Sequence, residues 1–238
     1  MPSPSVSNFP NVAVAFSGGG LRAMLSGAGV FDGMDSRSSI ASPNLKAGRP
    51  TVNGLLNFAT YMTGTPIFFW LADSGLSGGS WLIGASAQNN WATIDTLRSQ
   101  IWKKPQLIPD WTDSGFSFGN MGSDFIRKNK NFPDLVSLTD IWGWFIGYGL
   151  ISRGQSPATT LFKDVTAKSA YTAGQMPFPI VVTNQQANGS SYNAQDPNVP
   201  IVEVSPIEFG DWQTRGFIRT DTYFPLERNL LMQDGNNL

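Results

Sequence analysis

Apolar residues in this chain gather into short runs bounded by glycine, proline and polar positions, so its elements can be read one at a time. Val12-Ala-Val-Ala-Phe16 is a continuous apolar run, rich in β-formers, that stops at three glycines in the manner of a buried strand. Beyond the glycines, Leu21, Met24, Leu25, Ala28 and Phe31 recur at helical spacing, which predicts a helix over Leu21–Met34 packed on that strand. Ser36–Pro50 is polar, basic and proline-bearing and reads as a surface loop. Leu55–Met62 is apolar enough to be buried, either as helix or as strand.

The next run, Pro66–Asp73, carries Ile67, Phe68, Phe69, Trp70 and Leu71 at strand length and feeds into Ser74-Gly-Leu-Ser-Gly-Gly-Ser80, after which Trp81–Ala87 reads as a helix. Ile94, Leu97 and Ile101 mark an amphipathic surface helix closed by Pro105. Gln106–Lys130 is aromatic, glycine-containing and weakly periodic, and reads as an irregular cap or lid. Leu138–Ile151, with Ile141, Trp142, Phe145, Ile146 and Leu150, is a helix apolar on most sides and expected to be buried. Ile180–Thr183 and Ile201–Val204 read as strands either side of a polar loop, Ala187–Pro200, that holds the glycosylation sequon Asn188-Gly-Ser190. Strands alternating with helices favour an α/β layered fold, and 238 residues suit one domain without internal repeats.

Composition narrows the chemistry. With 16 basic against 17 acidic residues the chain has no long-range field to draw nucleic acid, which is not an expected partner. The absence of cysteine removes disulfides, thiolate metal sites and cysteine nucleophiles, and the absence of histidine removes both a Ser-His-Asp triad and the usual proton shuttle. Met1–Pro10 lacks the apolar core of a signal peptide, so the protein is intracellular or its true start lies upstream. The longest apolar stretch, Thr65–Ala72, is far short of the roughly 20 residues that cross a bilayer. The 8 tryptophans allow a carbohydrate-binding reading, but most sit in apolar patterns that favour core packing.

Two glycine-rich turns can carry chemistry. Gly75-Leu76-Ser77-Gly78-Gly79 fits G-x-S-x-G, whose glycines permit a sharp strand-to-helix bend that exposes the serine at the start of a helix. Ser17-Gly18-Gly19-Gly20-Leu21-Arg22 presents unhindered backbone N–H groups, as an oxyanion hole requires. A phosphate loop for nucleotides fits less well, because the P-loop pattern is missing and Ala23 stands at the third glycine position of G-x-G-x-x-G. Without histidine, Ser77 needs a carboxylate or lysine as base, and a Ser-Asp dyad is the favoured arrangement.

These residues resemble a known family. Ala15-Phe-Ser-Gly-Gly-Gly-Leu-Arg-Ala-Met-Leu25 with Gly75-Leu-Ser-Gly-Gly-Ser-Trp81 is similar to fungal lysophospholipases and phospholipases B, relatives of cytosolic phospholipase A2. Leu138-Thr-Asp-Ile-Trp-Gly143, Pro177-Phe-Pro-Ile180 and Glu203-Val-Ser-Pro-Ile-Glu-Phe-Gly-Asp-Trp212 extend the likeness over about residues 10–212, leaving 213–238 as a divergent tail; these later motifs read as packing or lid features. The resemblance implies an α/β layered sheet with flanking helices, patatin and cytosolic phospholipase A2-like, in one partial catalytic domain incomplete at its C-terminus. It also implies Ser77 as nucleophile, the Gly19 and Gly20 amides as oxyanion hole, and Arg22 on the substrate phosphate. Hydrolysis would release a fatty acid from phospholipid or lysophospholipid at a membrane or micelle surface, with no cofactor and no metal, in a secreted or cell-surface glycoprotein.

Two departures accompany the likeness. In the family a segment like Leu55–Gly64 runs almost straight into Leu-Ser-Gly-Gly-Ser, so Thr65–Gly75 reads as an insertion of the kind a retained intron leaves. The family's catalytic Asp, in an Asp-Gly-Gly-type motif, has no match before Trp212 and is expected past Leu238; Asp234-Gly-Asn236 is a faint echo without structure after it. A lipid-binding relative without the catalytic Asp is therefore the alternative to an active hydrolase.

Overall fold

The computed structural model describes residues 11–39, 52–64, 78–102, 118–131, 137–152, 155–184 and 200–220. One six-stranded sheet forms its spine, with strands side by side in chain order: β1 (Val12–Phe16), β2 (Ala59–Gly64), β3 (Phe178–Asn184), β4 (Ile201–Val204), β5 (Glu208–Asp211) and β6 (Gly216–Arg219). β1, β2 and β3 run parallel, and β3 to β6 alternate in direction. Parallel neighbours need crossovers. Helix α1 (Gly20–Met34) serves the first, and α2 (Gly78–Gln88) opens the longer second one. That second crossover also holds α3 (Ile94–Thr96), which continues as π-helical Leu97–Ile101, then α4 (Phe118–Asn131), α5 (Leu138–Leu150), a 3-10 turn at Phe162–Ala167 and α6 (Ser169–Thr172).

The core is built around α2, whose sequence of small and apolar residues lets it be covered on nearly every side by α1, β2 and β3. Leu82 and Ile83 are fully buried, and Trp81, Ala85 and Ala87 nearly so. Met24, Ala28 and Phe31 of α1 meet them together with Phe16 of β1 and Met62 of β2. Each large apolar side chain buried there contributes about 1.5–3 kcal/mol. Gly27 marks the closest approach of α1, because a Cβ there would fall 3.1 Å from both Leu82 Cδ2 and Phe16 Cδ1. The end of α1 is clamped to the turn after α2: Arg37 donates to the Asp35 carboxylate at 2.8 Å and to the Trp91 carbonyl at 2.8 Å, and Trp91 packs edge-on against Phe31.

Several expectations need correction. Val12–Phe16 is an edge strand, not an enclosed one: Ala13 and Ala15 are exposed, and no strand pairs with its far side among the described residues. A run of five apolar residues looks the same at an edge as inside a sheet. Leu55–Met62 is neither all helix nor all strand, since a 3-10 turn over Leu55–Phe58 gives way to β2. Residues 118–131, read as irregular, form α4. Its apolar content is low, and its anchor is polar: buried Asp124 accepts from Arg127, Tyr148 and Ser156, an arrangement hydrophobic periodicity cannot reveal. Helix α5, expected to be buried, buries Trp144 and Ile146 but leaves Ile141, Trp142 and Leu150 only half covered, because it rests on α2 and α4 along one side.

The segment Glu203–Trp212, read as a packing or lid feature, holds the end of β4, all of β5 and the turns beside them. Ser205 closes the β4–β5 turn, its Oγ accepting from the Ile207 and Glu208 amides, and the Asp211 carboxylate closes the β5–β6 turn by accepting from Thr214. The strand expected over Pro66–Asp73, the insertion Thr65–Gly75, the sequon at Asn188 and Asp234 all lie outside the described residues.

Candidate active site

Two turns leave the sheet at the same point. Phe16 at the end of β1 is the register partner of Gly64 at the end of β2, so the carboxyl ends of these parallel strands lie side by side, where open α/β sheets bind ligands. From Phe16 the chain passes through Ser17 and buried Gly18 into Gly19 (φ 126°) and Gly20 (φ 68°), the first residue of α1. Both torsions suit glycine alone without strain. No side chain among the described residues caps this helix start, and Gly19 is exposed, so the corner offers backbone N–H groups and the positive end of the helix dipole.

The second turn ends against the first. A Cβ built on Gly78 would fall 1.9 Å from the Gly20 carbonyl oxygen and 2.7 Å from the Met24 nitrogen; one on Gly79 would fall 2.3 Å from the Phe16 carbonyl oxygen. The start of α2 is thus seated directly on the triple-glycine corner, with no room for one methyl group. Ser77 lies outside the described residues, but its chain neighbour Gly78 touches the corner that holds Gly19 and Gly20.

Gly64 is a residue the sequence reading missed. A Cβ there would fall 2.5 Å from the Ser80 nitrogen, and Ser80 Oγ donates to the Gly64 carbonyl at 3.1 Å. The end of β2 therefore abuts the first turn of α2, although residues 65–77 separate them in sequence. Gly64 thus lies at the strand end of this strand-turn-helix unit, whereas Gly75, the leading glycine of the G-x-S-x-G pattern, lies outside the described residues. The available signal was the pair of glycines, Gly64 and Gly75, at the two ends of the extra segment.

Arg22, in the first turns of α1, is exposed and makes no ion pair among the described residues. Three of the described aspartates are engaged in ion pairs elsewhere. Asp35 pairs with Arg37, Asp124 with Arg127 and Asp140 with Lys128. Burial raises the Asp140 pKa, but hydrogen bonds from Lys128 and from the Ser137 amide, with the Lys128 charge, bring it below the ordinary aspartate value, the opposite of what a general base needs. Among the described residues no group of three or more His, Cys, Asp or Glu is placed to hold a metal ion.

The fold is that of the cytosolic phospholipases A2. Human GIVD cytosolic phospholipase A2 superposes with a TM-score of 0.57 at 17% identity, over 88% of this chain and 24% of that one. The same enzyme in complex with methyl gamma-linolenyl fluorophosphonate and terbium chloride gives 0.55 at 21% identity, over 88% of this chain and 25% of that one. At the level of sequence, the lysophospholipase catalytic domain matches residues 12–224, and the chain belongs to that family. Lysophospholipase 1 of Candida albicans is 33% identical over 85% of this chain and 31% of its own length. Probable lysophospholipase 5 of Schizosaccharomyces pombe is 31% identical over 92% and 32%, and a lysophospholipase of Arthroderma benhamiae 33% identical over 91% and 33%. The chain spans about a third of the length of these relatives.

Proposed function

We propose that this chain carries the nucleophile and oxyanion half of a lysophospholipase/phospholipase B-type active site. The observation behind this reading is the seating of Gly78 and Gly79 on Gly20 and Phe16, which brings the residue after Ser77 onto the turn whose amides would bind the oxyanion. Ser77 Oγ attacks the acyl carbonyl carbon as its proton passes to an aspartate base, and negative charge builds on the carbonyl oxygen facing Gly19 and Gly20. The carbon–oxygen bond to the glycerol then breaks and the alcohol takes the proton. Water repeats the sequence on the acyl-enzyme and frees the fatty acid. None of the described aspartates is aimed at the corner by any contact, so the base is assigned to a residue outside them. Arg22 provides a guanidinium for the lipid phosphate. The substrate meets the site at a membrane or micelle surface.

A lysophospholipid hydrolysis assay on wild type, Ser77→Ala and Arg22→Met tests the reading. Ser77→Ala is expected to lower kcat by about 10⁵-fold or more, as removal of a nucleophile does. Arg22→Met is expected to raise KM for lysophosphatidylcholine about tenfold while leaving hydrolysis of an uncharged monoacylglycerol unchanged. Equal turnover by Ser77→Ala and wild type would end the proposal. Folded wild-type protein that binds phospholipid without hydrolysing it would identify the non-catalytic relative instead.

A further inference from the structure

The registers of the sheet align one residue from every strand: Phe16, Gly64, Val181, Val204, Phe209 and Ile218 form a single row across β1 to β6. β5 runs in the direction of β1, so the turn Trp212–Arg215 lies beyond that row on the side where Ser17–Gly20 leaves β1. The β5–β6 turn and the triple-glycine corner therefore share one end of the sheet, about 19 Å apart across four strand spacings. Strand twist turns the two relative to each other without moving either to the other end.

The sheet is apolar and exposed around that turn. Trp212 is 68% exposed and Ile201 53%, and half-buried Phe217 meets Trp212 edge-on with ring centroids 4.8 Å apart. Glu203, Gly210 and Phe217 are register partners, and Ile201 stands two residues from Glu203, so Ile201 and Phe217 lie on one face. Arg215 is the one charged residue between Trp212 and Ile218; it is exposed and makes no ion pair among the described residues.

We infer that the β5–β6 turn is a lipid-docking tip, which sets Trp212, Phe217 and Ile201 into the interfacial region of a phospholipid layer while Arg215 meets anionic headgroups. The inference rests on the reading of this chain as a lipid hydrolase and identifies the surface through which it meets its substrate. Tryptophan favours the boundary between hydrocarbon and water, because its ring is apolar and its indole N–H can bond to headgroups. Arginine there is drawn by the negative surface potential of anionic lipid. A stable protein interface takes about 20–30 residues a side, far more than this patch offers, whereas a lipid layer admits aromatic side chains singly. With the tip in the layer, the glycine corner at the same end of the sheet is brought toward the lipid.

The test is co-sedimentation with vesicles of ether-linked phospholipid, which has no acyl ester to hydrolyse, made with and without phosphatidylserine. Trp212→Ala is expected to bind phosphatidylserine vesicles about tenfold more weakly than wild type. Arg215→Asn, chosen because asparagine accepts the φ of 57° at this position, is expected to lose about fivefold on those vesicles and nothing on phosphatidylcholine alone. Phe58→Ala removes an aromatic that is 73% exposed just before β2, at the other end of the sheet, and is expected to bind like wild type. Hydrolysis plays no part in this readout, so failure of the catalytic reading, which fluorophosphonate labelling reports, is separable from failure of the docking assignment. No binding by wild type, an equal loss in Phe58→Ala, or undiminished binding by folded Trp212→Ala and Arg215→Asn would overturn it. A wild-type dimer in solution that Trp212→Ala dissolves would overturn it too, since the patch would then belong to a second copy.

Discussion

Gly78→Ala is expected to unfold roughly 2–12 °C below wild type, the shift that about 1–3 kcal/mol of overpacking produces in a chain of this size. The new methyl group would start 1.9 Å from the Gly20 carbonyl oxygen, and a backbone oxygen cannot swing away as the tip of a side chain can. Relief requires α2 to move away from α1. That movement shifts Ser77 relative to Gly19 and Gly20, so activity should fall by about 10²-fold even below the melting temperature, the usual cost of misplacing a reacting group by an ångström. Gly29→Ala provides the contrast, because its Cβ meets nothing within 4 Å among the described residues and it should melt no lower than wild type. Calorimetry on the two variants checks the difference; equal melting temperatures would mean that the corners do not interlock.

Excising Thr65–Gly75, so that Gly64 leads directly into Leu76 and Ser77, is expected to preserve the fold and raise the rate of fluorophosphonate labelling by on the order of 10²-fold. Gly64 already touches Ser80, and its missing Cβ leaves room for the Ser80 amide. After excision the sequence reads Gly64-Leu76-Ser77-Gly78-Gly79, which again fits G-x-S-x-G, with its first glycine where the end of β2 meets α2. A tight turn fixes a serine more narrowly than a longer connection does. The comparison is the second-order labelling rate of the two proteins, alongside their circular dichroism. A slower rate in a folded excised protein would show that the extra segment contributes to the site.

Much of this arrangement was legible from residue order, for identifiable reasons. The strand at Val12–Phe16, the helix that follows and the helix after Ser77 are local features, each announced by an apolar run or a 3.6-residue period and by the glycines between them. What escaped depends on contacts between distant parts of the chain. No periodicity says that Gly64 meets Ser80, because the requirement is imposed by a residue sixteen positions away in the first turn of α2. Helix α4 was missed because its organising contact is a buried aspartate reached by Tyr148 and Ser156 from other elements. The hairpin of β5 and β6 was missed for the opposite reason: its strands are four residues each, too short to establish a period, and its turn is set by one carboxylate, that of Asp211.

A crystal structure of the protein treated with a long-chain fluorophosphonate is the most direct test of whether one carbonyl can be gripped from both turns at once. The expected adduct is a phosphonyl group on Ser77 Oγ with its free oxygen about 2.7–3.1 Å from the amide nitrogens of Gly19 and Gly20. An adduct on another residue, or one on Ser77 whose oxygen points away from those two amides, would contradict it.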